Sequence, residues 1–427
     1  MKKDSNQSSK RKMDSTGKKK KAIKVEKTIK SSSGRVGRGS KRNSKAAVKP
    51  KLRWGVQNLL QKLESAKSAP KQPAPDENVE YHIGIDLGDK KSYYCILDKN
   101  ANIVADGSLA TTIIEFGLYF KEIPRSRIAL EVGTHSPWIS SLLEAIGHEV
   151  YVANTRKMGG GKKKRRQKND KLDAESLARQ VRSDPRALFP IRHRGEKARH
   201  ALVLLRARHA VICARTKLIC SSRGLVKSFG DRLPRCSADS FHNIDRSAVP
   251  EMLLETLEPL FRQIGTMTAQ IKKYDAEVKR MCRQAYPETE MLRQVKGVGE
   301  ITSLAYMLTI DDPNRFAKSR DVGSYLGLVP RQYDSGDTRP QLRITKTGDR
   351  MMRQYLVQSA QYIMGRYGED SDLKRHGLKL AARGGKNAKK RAVVAVARKL
   401  AVLLHHLWIT AEVYEPLRNS TRQEKAA

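Results

Sequence analysis

Five side chains carry most of the chemistry this sequence can do. Asp86 ends the stretch Ile83-Gly-Ile-Asp-Leu-Gly88, where Ile83, Ile85 and Leu87 alternate with Gly84, Asp86 and Gly88. That is the period of a strand with one buried face, and it points Asp86 away from the apolar set. Glu131 ends a second apolar strand, Ile128-Ala-Leu-Glu131, just before the turn residues Gly133 and Thr134. Asp170 and Asp173 stand at i and i+3 in a helix that Asn169 caps, so both carboxylates share one face. Two acids one turn apart repel unless a cation sits between them. A helix N-terminus that favours acids accounts for Asp170 well and Asp173 only partly. Four acids from two strand ends and one helix predict a site for one or two Mg2+ (or Mn2+) ions. Such a site activates a nucleophile and steadies a leaving oxygen in phosphodiester chemistry. The fifth side chain is Ser335, between Asp334 and Gly336, with Arg331, Arg339, Arg343 and Lys346 close in sequence. A serine in a turn usually serves the turn. Among cations it can instead be a nucleophile towards phosphate, because they stabilise the charged transition state.

The elements that must position these groups follow from hydrophobic period. Strands are expected at 81–88, 91–98, 102–108, 127–131 and 148–153, with a helix over 139–147 closed by Gly147. A basic loop, Lys162, Lys163, Lys164, Arg165 and Arg166, precedes the helix that starts near Asp170. These elements predict an α/β domain over 79–192. Residues 196–226 read as a long helix with Leu202, Leu205, Ile212 and Ile219 on one stripe; His209 falls on it as a core or seam histidine. Over 257–281, Leu257, Leu260, Ile264, Met267, Ile271, Tyr274, Val278 and Met281 step by three and four, a heptad seam. Pro259 should sit in the first turn or mark a kink. The helical coiled-coil region, 193–287, is then a long helix buried in one core, or a helical hairpin that also builds a dimer. A mostly helical domain is expected over 288–415, with a last helix from about 387 to 412 and a tail over 416–427. Gly297 and Gly299 lie between apolar-periodic segments at 291–295 and 301–310, a helix-hairpin-helix pattern. Its backbone N–H groups can hold a DNA phosphate; a plain tight turn explains the glycines equally well.

Composition narrows the partners. The 427 residues carry a formal charge of +41, which points to a polyanion, nucleic acid above all. Residues 1–53 hold 20 Lys or Arg against three acids, so about +24 remains for the rest. Residues 1–78 form a basic arm and linker too poor in apolar surface to fold alone, with a short amphipathic helix expected at 52–66. The five cysteines show no Cys-x-x-Cys pair, which suits reduced thiols rather than a disulfide frame or a zinc site. No apolar run approaches a membrane span, so no membrane partner is expected.

Taken in order, the motifs resemble the DEDD transposases of bacterial insertion sequences, also described as bridge-RNA-guided recombinases. The resemblance covers roughly 81–410. It rests on Ile83-Gly-Ile-Asp-Leu-Gly88, Ala129-Leu-Glu131, Asn169-Asp-Lys-Leu-Asp-Ala174, Val295-Lys-Gly-Val-Gly299, Arg315-Phe316, Gly327-Leu-Val-Pro330, Asp334-Ser-Gly336 and Ile344-Thr-Lys346. It implies an α/β RuvC-like, ribonuclease-H-type domain whose metal-binding acids map onto Asp86, Glu131, Asp170 and Asp173. It further implies a coiled-coil segment for self-association, as dimer or tetramer, and a C-terminal transposase domain whose catalytic serine maps onto Ser335. That serine would form a covalent phosphoserine link to DNA. A structured non-coding bridge RNA would pair with donor and target DNA, in a bacterial, nucleoid-associated, cytoplasmic setting. The chain departs from the pattern in its basic arm, in the loop 162–166, and in Thr345, where the family commonly has serine. The alternatives are a metal-only junction resolvase or nuclease of the same fold, an actin-type or sugar-kinase ATPase with a similar first phosphate loop, and a non-catalytic nucleic-acid scaffold.

Overall fold

The computed structural model describes residues 79–158, 169–340 and 342–419. The arm at 1–78, the amphipathic segment at 52–66 and the basic loop at 162–166 lie outside them. The first described region is a five-stranded mixed sheet: β1 (His82–Asp86), β2 (Lys91–Leu97), β3 (Ile103–Ala110), β4 (Arg127–Glu131) and β5 (Glu149–Ala153). The strand order is β3-β2-β1-β4-β5. β1 pairs antiparallel with β2 and parallel with β4, and β4 pairs parallel with β5. This topology is compatible with a RuvC-like domain.

Alternation decides what covers each face. Ile83, Ile85, Ile128 and Leu130 point to one side, where Phe116, Phe120, Ile139, Leu142 and Leu143 bury them. Those residues come from α1 (Ile113–Lys121) and α2 (Ser136–Ala145). Gly147, at φ +106°, follows the end of α2 as expected. On the other side lies α3 (Asp170–Ser183), with Leu177 and Val181 against Ala129, Tyr151 and Ala153.

Two long helices follow, α4 (Glu196–Lys227) and α5 (Glu251–Gln284). They are antiparallel: Arg208 meets Asp275 at 2.5 Å, and Arg215 meets Thr268 at 3.1 Å. The seam is offset from the expected one. Leu257, Ile264, Ile271 and Val278 are buried, but their partners on the stripe are Phe261, Thr268 and Cys282. Leu260, Met267, Tyr274 and Met281 are only half-buried. Pro259 lies inside α5, not in its first turn. It is exposed, so the backbone bond it cannot make is lost on the solvent side.

The remaining elements are α6 (Thr289–Arg293), α7 (Glu300–Ile310), α8 (Asp321–Tyr325), α9 (Arg350–Met364), α10 (Asp372–Ala381) and α11 (Ala388–Thr410). They form one core with the roots of the long pair: Ala201, Leu202 and Leu205 of α4 and Val278 and Cys282 of α5 belong to it. Contrary to the expectation from the sequence, α11 is long and apolar enough to cross a membrane by length and composition. Its Val396, Leu400, Leu404 and Leu407 are buried in this core, as the interior helix of a globular region requires.

Candidate functional site

β1 and β4 are neighbours, in parallel register up to Ile85 opposite Leu130. Asp86 and Glu131 are the next residue on each, so both close the same edge of the sheet. Both belong to the face that α3 covers, since Gly84 and Ala129 on that face touch α3.

The direction of α3 follows from its other contacts. Near its C-terminal end, Arg182 donates to the carbonyl of Lys99 at 3.1 Å and Arg179 to that of Ala101 at 3.5 Å. These carbonyls sit in the β2–β3 turn, beside the start of β1, because Leu97 pairs with His82. The helix therefore runs against β1, and its first turn, with Asp170 and Asp173, points to the Asp86 end. Asn169 caps that turn, its side chain accepting from the Lys171 N–H at 3.1 Å.

Gly84 makes this seat possible. A Cβ there would lie 2.0 Å from the Ala174 carbonyl oxygen and 2.3 Å from the Ala178 nitrogen. Only glycine lets the helix backbone rest directly on the strand.

All four acids are half-buried. They are hard oxygen donors of the kind that suits Mg2+ or Mn2+. Even so, among the described residues no group of three or more His, Cys, Asp or Glu side chains is gathered to hold a metal ion. The fold brings the donors to one end of one face without drawing them into one coordination shell.

Ser335 is on none of these elements. Between α8 and α9 the chain forms a hairpin. Its stem holds Lys346 N–H to Gly327 at 3.1 Å, Thr345 N–H to Val329 at 2.9 Å and Arg331 N–H to Arg343 at 2.9 Å. Its tip is the two-residue turn Gly336-Asp337, where Ser335 and Thr338 exchange backbone bonds of 3.2 and 3.0 Å. Ser335, Arg331, Arg339, Arg343 and Lys346 are all exposed. Lys346 has φ +56°, a left-handed value uncommon outside glycine. Across the stem, Gly327 is also left-handed at +68°, and a Cβ there would meet the Thr347 oxygen at 2.3 Å.

Arg353 braces the root of this hairpin and was not singled out from the sequence. Its guanidinium donates to the carbonyls of Leu326, at 3.2 Å, and Thr347. Burial lowers its pKa from the ordinary arginine value. The available signal was an arginine one turn into a helix capped by Asp349, directly after a cation-rich loop.

Gly297 and Gly299 lie in the turn between α6 and α7. Gly297, at φ +95°, packs on α9, where a Cβ would lie 2.9 Å from the Tyr362 ring. Gly299 faces open space and caps α7. α6 is a single short turn of five residues. The helical pair of a helix-hairpin-helix is therefore lopsided, and α7 is almost wholly buried.

Two family models match consecutive parts of the chain. Residues 83–230 match a DEDD transposase model, and residues 289–376 match the transposase model described as the IS116/IS110/IS902 family. Among similar curated proteins is the transposase for insertion sequence element IS1111A of Coxiella burnetii. It is 28% identical over 254 residues, 58% of this chain and 68% of that protein. The transposase for insertion sequence element IS1328 of Yersinia enterocolitica is 28% identical over 292 residues, 66% of this chain and 84% of that protein.

Proposed function

We propose that the chain is a transposase of the IS116/IS110/IS902 kind, as the two family models matched over 83–230 and 289–376 support, and that it cuts and rejoins DNA strands with Ser335 as nucleophile. The observation that carries this reading is the exposed tip of the 327–347 hairpin, which presents Ser335 with Arg331 on its own strand and Arg339, Arg343 and Lys346 on the returning one. In the step, the Ser335 oxygen forms a bond to phosphorus and one backbone P–O bond breaks. The serine proton leaves as the departing strand oxygen gains one. The four cations hold the phosphate and its neighbours and offset the charge that builds on the transferring group. Arg353 ties the root of the hairpin to α9.

Asp86, Glu131, Asp170 and Asp173 would hold Mg2+ (or Mn2+). A bound ion supplies a Lewis acid and a counter-charge for the phosphate. The acids belong to the sheet and α3, and the serine to the helical region downstream. The working site is thus composite, assembled as the hairpin meets the sheet edge, within one chain or between copies of a dimer or tetramer. The long pair α4–α5, with its half-buried stripe Leu260, Met267, Tyr274 and Met281, suits self-association. A structured guide RNA would supply sequence choice for donor and target DNA, with the basic segment Lys162–Arg166 and the Gly297–Gly299 turn as further phosphate contacts.

The test is a covalent trap. The protein is incubated with Mg2+ and radiolabelled DNA carrying the element ends, then denatured and resolved by electrophoresis. Wild type should give a protein–DNA adduct that is lost in Ser335→Ala. Asp86→Asn and Asp173→Asn should lower it by about a thousandfold or more. An adduct that survives Ser335→Ala overturns the nucleophile; cleavage without any adduct favours a metal-only nuclease.

A further inference from the structure

Beside the stem of the Ser335 hairpin lies a cleft of about 1400 Å3. One wall is the stem itself, through Pro330, Leu342 and Ile344; the opposite wall is α10 and α11, through Leu380 and Leu403. Nine lysines and arginines also line it, against two acids, Asp372 and Glu415; among the nine are Arg320, Arg343, Lys346, Arg383, Lys390 and Lys399. These six are all exposed. None of the six has a carboxylate partner among the described residues. Elsewhere the chain pairs its arginines: Arg208, Arg215 and Arg246 each hold a carboxylate at 2.5 to 2.7 Å. Arg418, also in the lining, is paired with Glu412 at 2.6 Å, but at these six positions the cleft carries positive charge without a carboxylate partner. His376, also on the wall, responds to it: its pKa is lowered by burial first, then by Lys399 and Arg383.

We infer that this cleft seats a single DNA strand on its way to Ser335, a proposal that rests on the strand-cutting reading above. Unpaired cations around an aliphatic lining match a strand whose phosphates face the charges while its sugars and bases lie against the apolar side chains. The choice of DNA follows from continuity. Arg343 and Lys346 belong both to the cleft and to the hairpin, so an occupant of the cleft continues into whatever reaches the serine. An acidic protein segment could match the charge but not that continuity.

The test compares two triple variants of the full chain with equal loss of charge. Arg383→Ala/Lys390→Ala/Lys399→Ala removes the far wall. Lys272→Ala/Lys273→Ala/Lys279→Ala removes exposed cations from α5, away from the cleft. Binding of a fluorescent DNA strand of about twenty nucleotides is followed by anisotropy over a range of salt. The cleft variant should bind at least about tenfold more weakly, with a salt slope shallower by about 2, as three lost phosphate contacts on a single strand imply. The α5 variant should stay within about twofold of wild type, and Lys390→Arg/Lys399→Arg should bind as wild type does. Equal losses in both triples, or no loss in the cleft variant, overturn the proposal. So does a loss confined to an RNA strand of the same sequence, or an acidic peptide that takes the cleft while DNA binding stays intact. Ser335→Ala should bind DNA normally. If it also keeps the covalent adduct, the catalytic reading falls and the cleft result still stands on its own.

Discussion

At the scale of the residue, the site depends on one position with no side chain. Asp86 was legible from its strand because Ile83, Ile85 and Leu87 alternate around it. The role of Gly84 as the seat of α3 was not, since nothing local says which helix will lie across it. The contact distances decide how much it matters. An added methyl group 2.0 Å from a backbone oxygen cannot be absorbed by a rotamer change, so the helix must lift. Gly84→Ala should cost about 1–3 kcal/mol in urea unfolding. Its effect on activity should be larger than that loss explains, because the helix that lifts carries Asp170 and Asp173. Raising Mg2+ should restore part of the Ser335 adduct in Gly84→Ala and none in Asp173→Asn. Identical Mg2+ profiles for the two variants would remove Gly84 from this role. The serine shows the complementary case. Its motif was readable, but its place at the tip of a hairpin depends on pairings between residues up to nineteen apart, such as Lys346 with Gly327, and on Arg353 from the next helix.

At the scale of the element, local period exposed the sheet and the longest helices but not the contacts that orient them. All five strands were legible within two residues, because each has one or both faces apolar. α1 was missed: Ile113, Ile114, Phe116, Leu118, Tyr119 and Phe120 give it apolar residues all round, and neither period stands out. The α5 seam is displaced because the half-buried Leu260, Met267, Tyr274 and Met281 share the three-four spacing of the buried residues, while Thr268 on the buried stripe is polar. The cause is polar. α4 turns Arg208 and Arg215 into the interface, where Arg208 meets Asp275 and Arg215 meets Asp239 and Thr268. Arg208 is only 11% exposed and Asp275 35%. Asp275→Ala should therefore strand a buried guanidinium and cost about 2–3 kcal/mol, somewhat below the ~3–5 kcal/mol of fully buried pairs because Asp275 is partly solvated. Arg208→Met/Asp275→Leu should recover most of that loss in the same urea titration. A double variant as unstable as the single one would show that the pair adds net stability. Offset, buried charge also bears on assembly. It leaves Leu260, Met267, Tyr274 and Met281 half-exposed, and Met267→Glu/Tyr274→Glu should shift sedimentation towards a smaller species if copies associate there.

At the scale of the whole molecule, charge dominates. The formal charge of +41 is legible at once, but its division into paired arginines in the long helices and unpaired cations by the hairpin required the tertiary structure. This excess of positive charge also acts on the buried histidines. His82 begins β1, is 8% exposed, and has a pKa lowered to about 4 by burial first, then by Arg127, Arg182 and Lys99. His193 is lowered to about 4 as well, by burial and by Arg199 and Arg194. Both stay neutral in the folded protein at a pH where the unfolded chain has already taken up protons. With the folded pKa below the unfolded value of about 6.5, their contribution is fully present above pH 6.5 and is lost as pH falls towards 4. For His82 the full loss is about 3 kcal/mol. The strand concerned carries Asp86, and Arg182 lies on the helix that carries Asp170 and Asp173. Acid should therefore loosen β1 and the helix α3 that packs on it first; His405 on α11, also lowered by burial, gives the helical core its own acid sensitivity. Urea midpoints measured at pH 7, 6, 5 and 4 should fall steadily below pH 6.5, and His82→Gln should flatten that fall whatever its effect at pH 7. Amide exchange at pH 5 should show β1 and α3 losing protection ahead of α9 and α11. Equal slopes for wild type and His82→Gln would place the acid sensitivity elsewhere.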